Sequence, residues 1–195
     1  MRKRRFFVMK ANSTATTVRS EIRIFGSTKV MVLCALLAAM SIVLGKFVNI
    51  SIGDSIRISF ENLPIIMASI FFGPIAGAVT GASADIVGCF LKGYSINPFI
   101  TLGAVCIGFF PGLLYRSYAK GKEFTKLLTS VMSAHVAGSM IVKSIGLMAV
   151  YHTPMKVIAW RVPIYIIIGI VETIAVHTLL RNKAFKAELE KVMRK

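Results

Sequence analysis

Four stretches of this chain, 30–45, 62–84, 93–115 and 127–142, contain no Lys, Arg, Asp or Glu. Few folds can hide that many consecutive apolar side chains, and four such runs point to a polytopic membrane protein. Inside a bilayer the backbone has no water to bond to, so each run must be helical or belong to a closed barrel. The runs are continuous apolar blocks and lack the alternation of an outer-membrane barrel strand. Composition agrees. The chain is 55% hydrophobic and 16% charged, with a mean hydropathy of +0.72, against about 25% charged in an average soluble domain. The expected fold class is therefore an all-α membrane protein.

Six membrane helices are predicted, at about 29–47, 60–73, 75–92, 97–117, 124–150 and 157–181. The second and third would meet at Gly73-Pro74, a turn signal inside a run too long for one span. With six spans both termini share a side. That side holds eight Lys/Arg before Val30, four from Arg116 to Lys126 and six from Arg181 onward. The other side holds Lys46, Arg57, Lys92 and Lys156, so the positive-inside rule makes both termini cytoplasmic. Residues 1–28 read as a basic cytoplasmic segment, partly amphipathic through Arg19 and Arg23 against Val18, Ile22 and Phe25. Residues 29–182 form the six-helix bundle and 183–195 a basic cytoplasmic tail. The expected location is a bacterial plasma membrane, spanned many times.

A net charge of +16 raises the question of nucleic acid, but the basic residues flank apolar segments and form no basic stripe interleaved with aromatics. Cys34, Cys89 and Cys106 all lie in apolar segments, with no CxxC and no disulfide framework. His152 and His177 fall at opposite ends of the predicted bundle, which excludes a three-histidine metal site; His135 reads as a packing residue. No phosphate-binding loop, nucleophile elbow or H-E-x-x-H pair occurs. No cofactor, metal or catalytic residue is expected, and the chain reads as a binder or as part of a larger machine.

Charges inside the predicted helices mark the region of interest. Asp85, Lys143, Arg161 and Glu172 lie there, and each alone against lipid would cost about 2.5–3.5 kcal/mol. Helical spacing turns them inward. Asp85 continues the stripe Gly73, Gly77, Gly81, and small residues four apart let helices approach closely. Arg161, Tyr165, Ile168 and Glu172 share one face, as do His135, Ser139, Lys143 and Gly146. Two explanations fit: structural ion pairs such as Asp85–Lys143 or Glu172–Arg161, or a binding site.

Longer patterns carry a resemblance. Ala35-x-x-x-Ala39, FENLPIIMASIFFGPIAGAVTGASADIVG (60–88), NPFITLGAVCIGFFPGLLY (97–115), HVAGSMIVKSIGL (135–147) and RVPIYIIIGIVE (161–172) resemble the S components of energy-coupling-factor vitamin transporters, most closely the folate type. The likeness covers roughly 30–182. It implies a six-helix bundle that captures a folate-like vitamin from outside and docks to a membrane coupling subunit and two ATPase subunits. Ala35 and Ala39 would touch the coupling subunit. Alternatives are an S component for riboflavin, thiamine, biotin or a similar vitamin, a solitary facilitator, or a membrane enzyme.

For a folate-like ligand the candidate contacts are Arg57, Asp85, Lys92, Tyr94, Asn97, Lys143, Trp160, Arg161, Tyr165 and Glu172. Asp85 or Glu172 could accept two hydrogen bonds from the amidine-like pterin edge. Tyr94, Trp160 and Tyr165 could flank the ring. A dianionic glutamate tail would favour a basic entrance built from Lys46, Arg57, Lys92 or Lys156.

Overall fold

The uncharged run at 62–84 breaks at Gly73, whose φ of 110° is a conformation that side-chain-bearing residues rarely adopt. Pro74 then opens the next helix, where its missing N–H costs nothing. The computed structural model describes residues 27–47, 50–52, 56–117 and 122–193, with backbone alone for 50–52, 56–58 and 193. The amphipathic stretch expected within 1–28, from Val18 to Phe25, lies outside the described residues.

In chain order the elements are α1 (Thr28–Lys46), a β-hairpin of β1 (Ile50–Ile52) and β2 (Ile56–Ile58), α2 (Asn62–Phe72), α3 (Pro74–Lys92), α4 (Pro98–Ser117), α5 (Glu123–Tyr151), α6 (Met155–Arg181) and α7 (Lys183–Met193). The hairpin is antiparallel, with Ser51 opposite Arg57. Strands of three residues give too short an alternation to read from the sequence.

Five of these helices (α1, α3, α4, α5 and α6) are long and apolar enough to cross a membrane. The sixth expected helix is present but short. At 11 residues α2 rises only about 16 Å, roughly half of a hydrocarbon core. It is apolar all round because other helices surround it: Ile66 and Ala68 are fully buried, and Ile65, Ile70, Phe71 and Phe72 nearly so. The outside of the bundle is apolar too, with Leu36, Phe90 and Ile167 turned outward. The basic tail also gains structure. Phe185 of α7 sits 5.4 Å from the Phe71 ring, and Leu189 and Val192 pack on the same core, so this amphipathic helix covers one end of the bundle.

Glycines set the contact between α3 and α4. A side chain at Gly77 would run into the Gly108 carbonyl, one at Gly81 into that of Ala104, and one at Gly108 into Gly77. The two helices run antiparallel with backbones touching, which only small residues permit.

Inside α5 the hydrogen bonding changes. His135–Val142 forms a π-helical segment, in which the Lys143 N–H donates to the carbonyl five residues back, at Gly138. The wider turn shifts the phase of everything after it relative to an α-helix. The expected common face of His135, Ser139, Lys143 and Gly146 therefore divides among different neighbours.

Candidate ligand-binding cavity

One step beyond Gly81 on the α3–α4 ladder, Asp85 meets Thr101: the Thr101 hydroxyl donates to Asp85 Oδ2 at 2.7 Å. The stripe thus turns Asp85 toward α4 and gives its carboxylate a neutral donor in place of the Lys143 partner considered above. Lys143 pairs elsewhere, donating to Glu61 Oε1 at 3.2 Å. Its stem crosses α4 at Gly103, the position where a Cβ would collide with it. Glu61 is held just ahead of α2 by Gly45, against which its side chain packs, and by Ser41 of α1, whose hydroxyl donates to the Glu61 carbonyl at 2.7 Å.

Glu172 does not pair with Arg161. Fully buried, it shares a 2.7 Å hydrogen bond with the equally buried His135 Nε2. Arg161 instead donates from Nη2 to the Tyr165 hydroxyl at 3.1 Å, its guanidinium carbon 5.3 Å from the centre of that ring. Lys46, at the end of α1, lies 5.6 Å from the Tyr94 ring.

Lys46, Glu61, Asp85, Tyr94, Lys143, Arg161 and Tyr165 all line a cavity of about 470 Å³, a volume typical of small-molecule sites. It opens at the end of the bundle where α1, α3 and α5 finish and α4 and α6 begin. Its wall carries three cations (Lys46, Lys143, Arg161), two carboxylates (Glu61, Asp85) and three tyrosines (Tyr94, Tyr151, Tyr165). Two buried donors on that wall, Asn97 Nδ2 and Arg161 Nε, have no hydrogen-bond partner among the described residues. Leaving a buried donor unpaired costs about 1–3 kcal/mol, so a small turn of either side chain toward a ligand acceptor would recover that cost. Asn97 also starts α4, accepting from the Phe99 N–H at 3.0 Å.

Of the residues expected from sequence, Asp85, Tyr94, Asn97, Lys143, Arg161 and Tyr165 line this one cavity. Glu172 lies in the core away from it. Lys92 points off, its Nζ 4.3 Å from the Phe47 ring. Trp160 faces outward with 66% of its surface exposed. Arg57 lies on β2, and its side chain is outside the described residues. Glu61 was missed, because counting the uncharged run from Asn62 left the residue just before it unexamined. FENLP held the signal: an acidic residue directly ahead of an apolar helix, on the side of the bundle that carries the other connections.

The family model for the S component of an ECF-type riboflavin transporter matches residues 25–186. The chain belongs to the S-component family of energy-coupling-factor transporters. An S component is membrane-embedded and serves transport, and the apolar exterior of the bundle agrees with a place in the membrane. Among curated proteins, the folate transporter FolT of Clostridium novyi (strain NT) is 31% identical over 88 residues, covering 42% of this chain and 49% of that protein. The chain thus spans about half the length of that relative. Among solved structures, a crystal structure of FolT bound with folic acid aligns with 82% of this S component and 98% of its own chain, at a TM-score of 0.65 and 27% identity. The S component of a bacterial ECF transporter aligns with 86% of this chain and 98% of its own at a TM-score of 0.61; its 19% identity speaks to the fold alone.

Proposed function

We propose that this S component captures a folate-like vitamin in the cavity bounded by Glu61, Asp85, Asn97, Lys143, Arg161 and Tyr165, and delivers it to an ATP-driven coupling module. The observation that carries the reading is the cavity wall. Its cations outnumber its carboxylates by one, and the two unpartnered donors need acceptors. Folate brings both an anionic glutamate tail and a heteroaromatic head with acceptors and an amidine-like edge. Asp85 keeps Oδ1 for that edge while Thr101 holds Oδ2, and Tyr94 and Tyr165 offer ring faces. The likeness to FolT bound with folic acid supports the same choice.

The bundle would sit with both termini cytoplasmic and the cavity facing outward, in keeping with the basic residues before Val30 and after Arg181. Ala35 and Ala39 lie exposed on α1 beside the buried Cys34 and Ala38, which leaves a small-residue face open for the coupling subunit. The chain would have no catalytic activity of its own.

Riboflavin is the second reading, favoured by the description of the matching family model. It is neutral and leaves the surplus cation unused. Calorimetric titration of the purified chain with folic acid, riboflavin, thiamine and biotin separates the two. Nanomolar binding of folic acid alone is expected, and tighter binding of any of the others overturns the assignment. Undiminished uptake in cells without a coupling module would refute the transport role.

A further inference from the structure

Glu172 is a costly residue to keep in the bundle, and it does not line the cavity. Its carboxylate is fully buried and, among the described residues, hydrogen-bonded only to His135, which is buried as completely. Replacing such a pair by apolar residues is often neutral or stabilising, so stability by itself gives little reason to retain it.

What the pair does is geometric. The His135 ring, held by Glu172, lies against the Tyr165 ring in a tilted contact, with centroids 5.5 Å apart and planes inclined by 31°. Gly169 makes room, since a Cβ there would come within 3.1 Å of His135 Cδ2. The hydroxyl of Tyr165 then receives the Arg161 Nη2 hydrogen bond. Arg161, Tyr165 and Glu172 occupy one face of α6, and His135 reaches across from α5 to touch two of them. A continuous chain of contacts runs from a buried carboxylate to the guanidinium whose Nε stands unpartnered at the cavity wall.

We propose that Glu172 is a positioning residue for ligand binding: through His135 and Tyr165 it sets the orientation of Arg161. The inference rests on the reading of the cavity as the vitamin site and would hold for either vitamin. It replaces the direct contact expected from sequence with action at a distance of two side chains.

A double-mutant cycle tests it. Folic acid is titrated calorimetrically into the wild type, Glu172→Met, Arg161→Lys and the double variant, each with its thermal melt. If Glu172 acts through Arg161, Glu172→Met lowers affinity about tenfold in the wild-type background and less than twofold in the Arg161→Lys background. Equal losses in both backgrounds, or no loss in either, overturn the proposal. Should Glu172→Met fail to fold, the apolar pair Glu172→Met with His135→Leu replaces it: it removes the linkage without stranding a buried imidazole, and the same non-additivity is expected. A wild type that binds riboflavin and not folic acid overturns the substrate assignment, while the cycle is still read with riboflavin, where additive losses again overturn the positioning role.

Discussion

Lys143 Nζ stands 3.2 Å from Glu61 Oε1, joining the end of the π-helical segment of α5 to the residue that precedes α2. Eighty-two residues separate them in sequence. The pair crosses the cavity wall, and both members remain partly accessible from it, Glu61 more than Lys143. Replacing Lys143 by Met removes a cation and leaves the Glu61 carboxylate without its hydrogen-bonded partner. Folic acid affinity should fall at least tenfold, about 1.4 kcal/mol. Adding Glu61→Gln should recover part of any accompanying loss in melting temperature, because the stranded charge is removed. Wild-type affinity in Lys143→Met would show that the pair has no part in binding.

Asp85 and Thr101 form the cavity end of the α3–α4 glycine ladder. Asp85→Asn keeps an acceptor for the Thr101 hydroxyl but loses the charge that would receive an amidine-like edge. The expected result is a normal melting temperature with folic acid binding weakened at least tenfold. A variant that binds normally would assign Asp85 a purely structural task.

The ladder itself predicts a stability effect. Gly77→Val forces a side chain into the Gly108 carbonyl, and overpacking of this kind costs about 1–3 kcal/mol. Val87→Leu, on the exposed side of the same helix, should melt close to the wild type. If the two variants melt alike, the close approach of α3 and α4 is not what holds the bundle together.

Trp160 faces away from the cavity with most of its surface exposed, so Trp160→Phe should change folic acid affinity less than twofold. The indole emission should respond weakly to ligand for the same reason. A tenfold loss in calorimetry would place the indole in the site after all.

On α1, Ala35 and Ala39 are exposed and distant from the cavity wall. Leucine at either position should spare ligand binding in detergent and lower uptake in cells that hold the coupling module. Unchanged uptake would remove this face from the docking surface.

The amino-acid sequence carried the features that depend on neighbours along one helix. Uncharged runs located the spanning helices to within a few residues, since burying apolar length in a bilayer leaves little freedom in where a helix lies. The Gly73, Gly77, Gly81 stripe turned Asp85 inward, and the spacing of Arg161, Tyr165 and Glu172 put them on one face of α6. Partners across helices were another matter. Asp85 bonds to Thr101, Lys143 to Glu61 and Glu172 to His135 because helix crossings and the π-helical phase shift in α5 decide which side chains meet. Neither is written in a 3.6-residue period. The short span of α2, its burial on every side and the packing of α7 over the bundle end also depend on contacts between distant segments. Sequence by itself determined that this chain is a membrane bundle with charges turned inward; only the tertiary structure decided which of those charges face the cavity and which stand behind it.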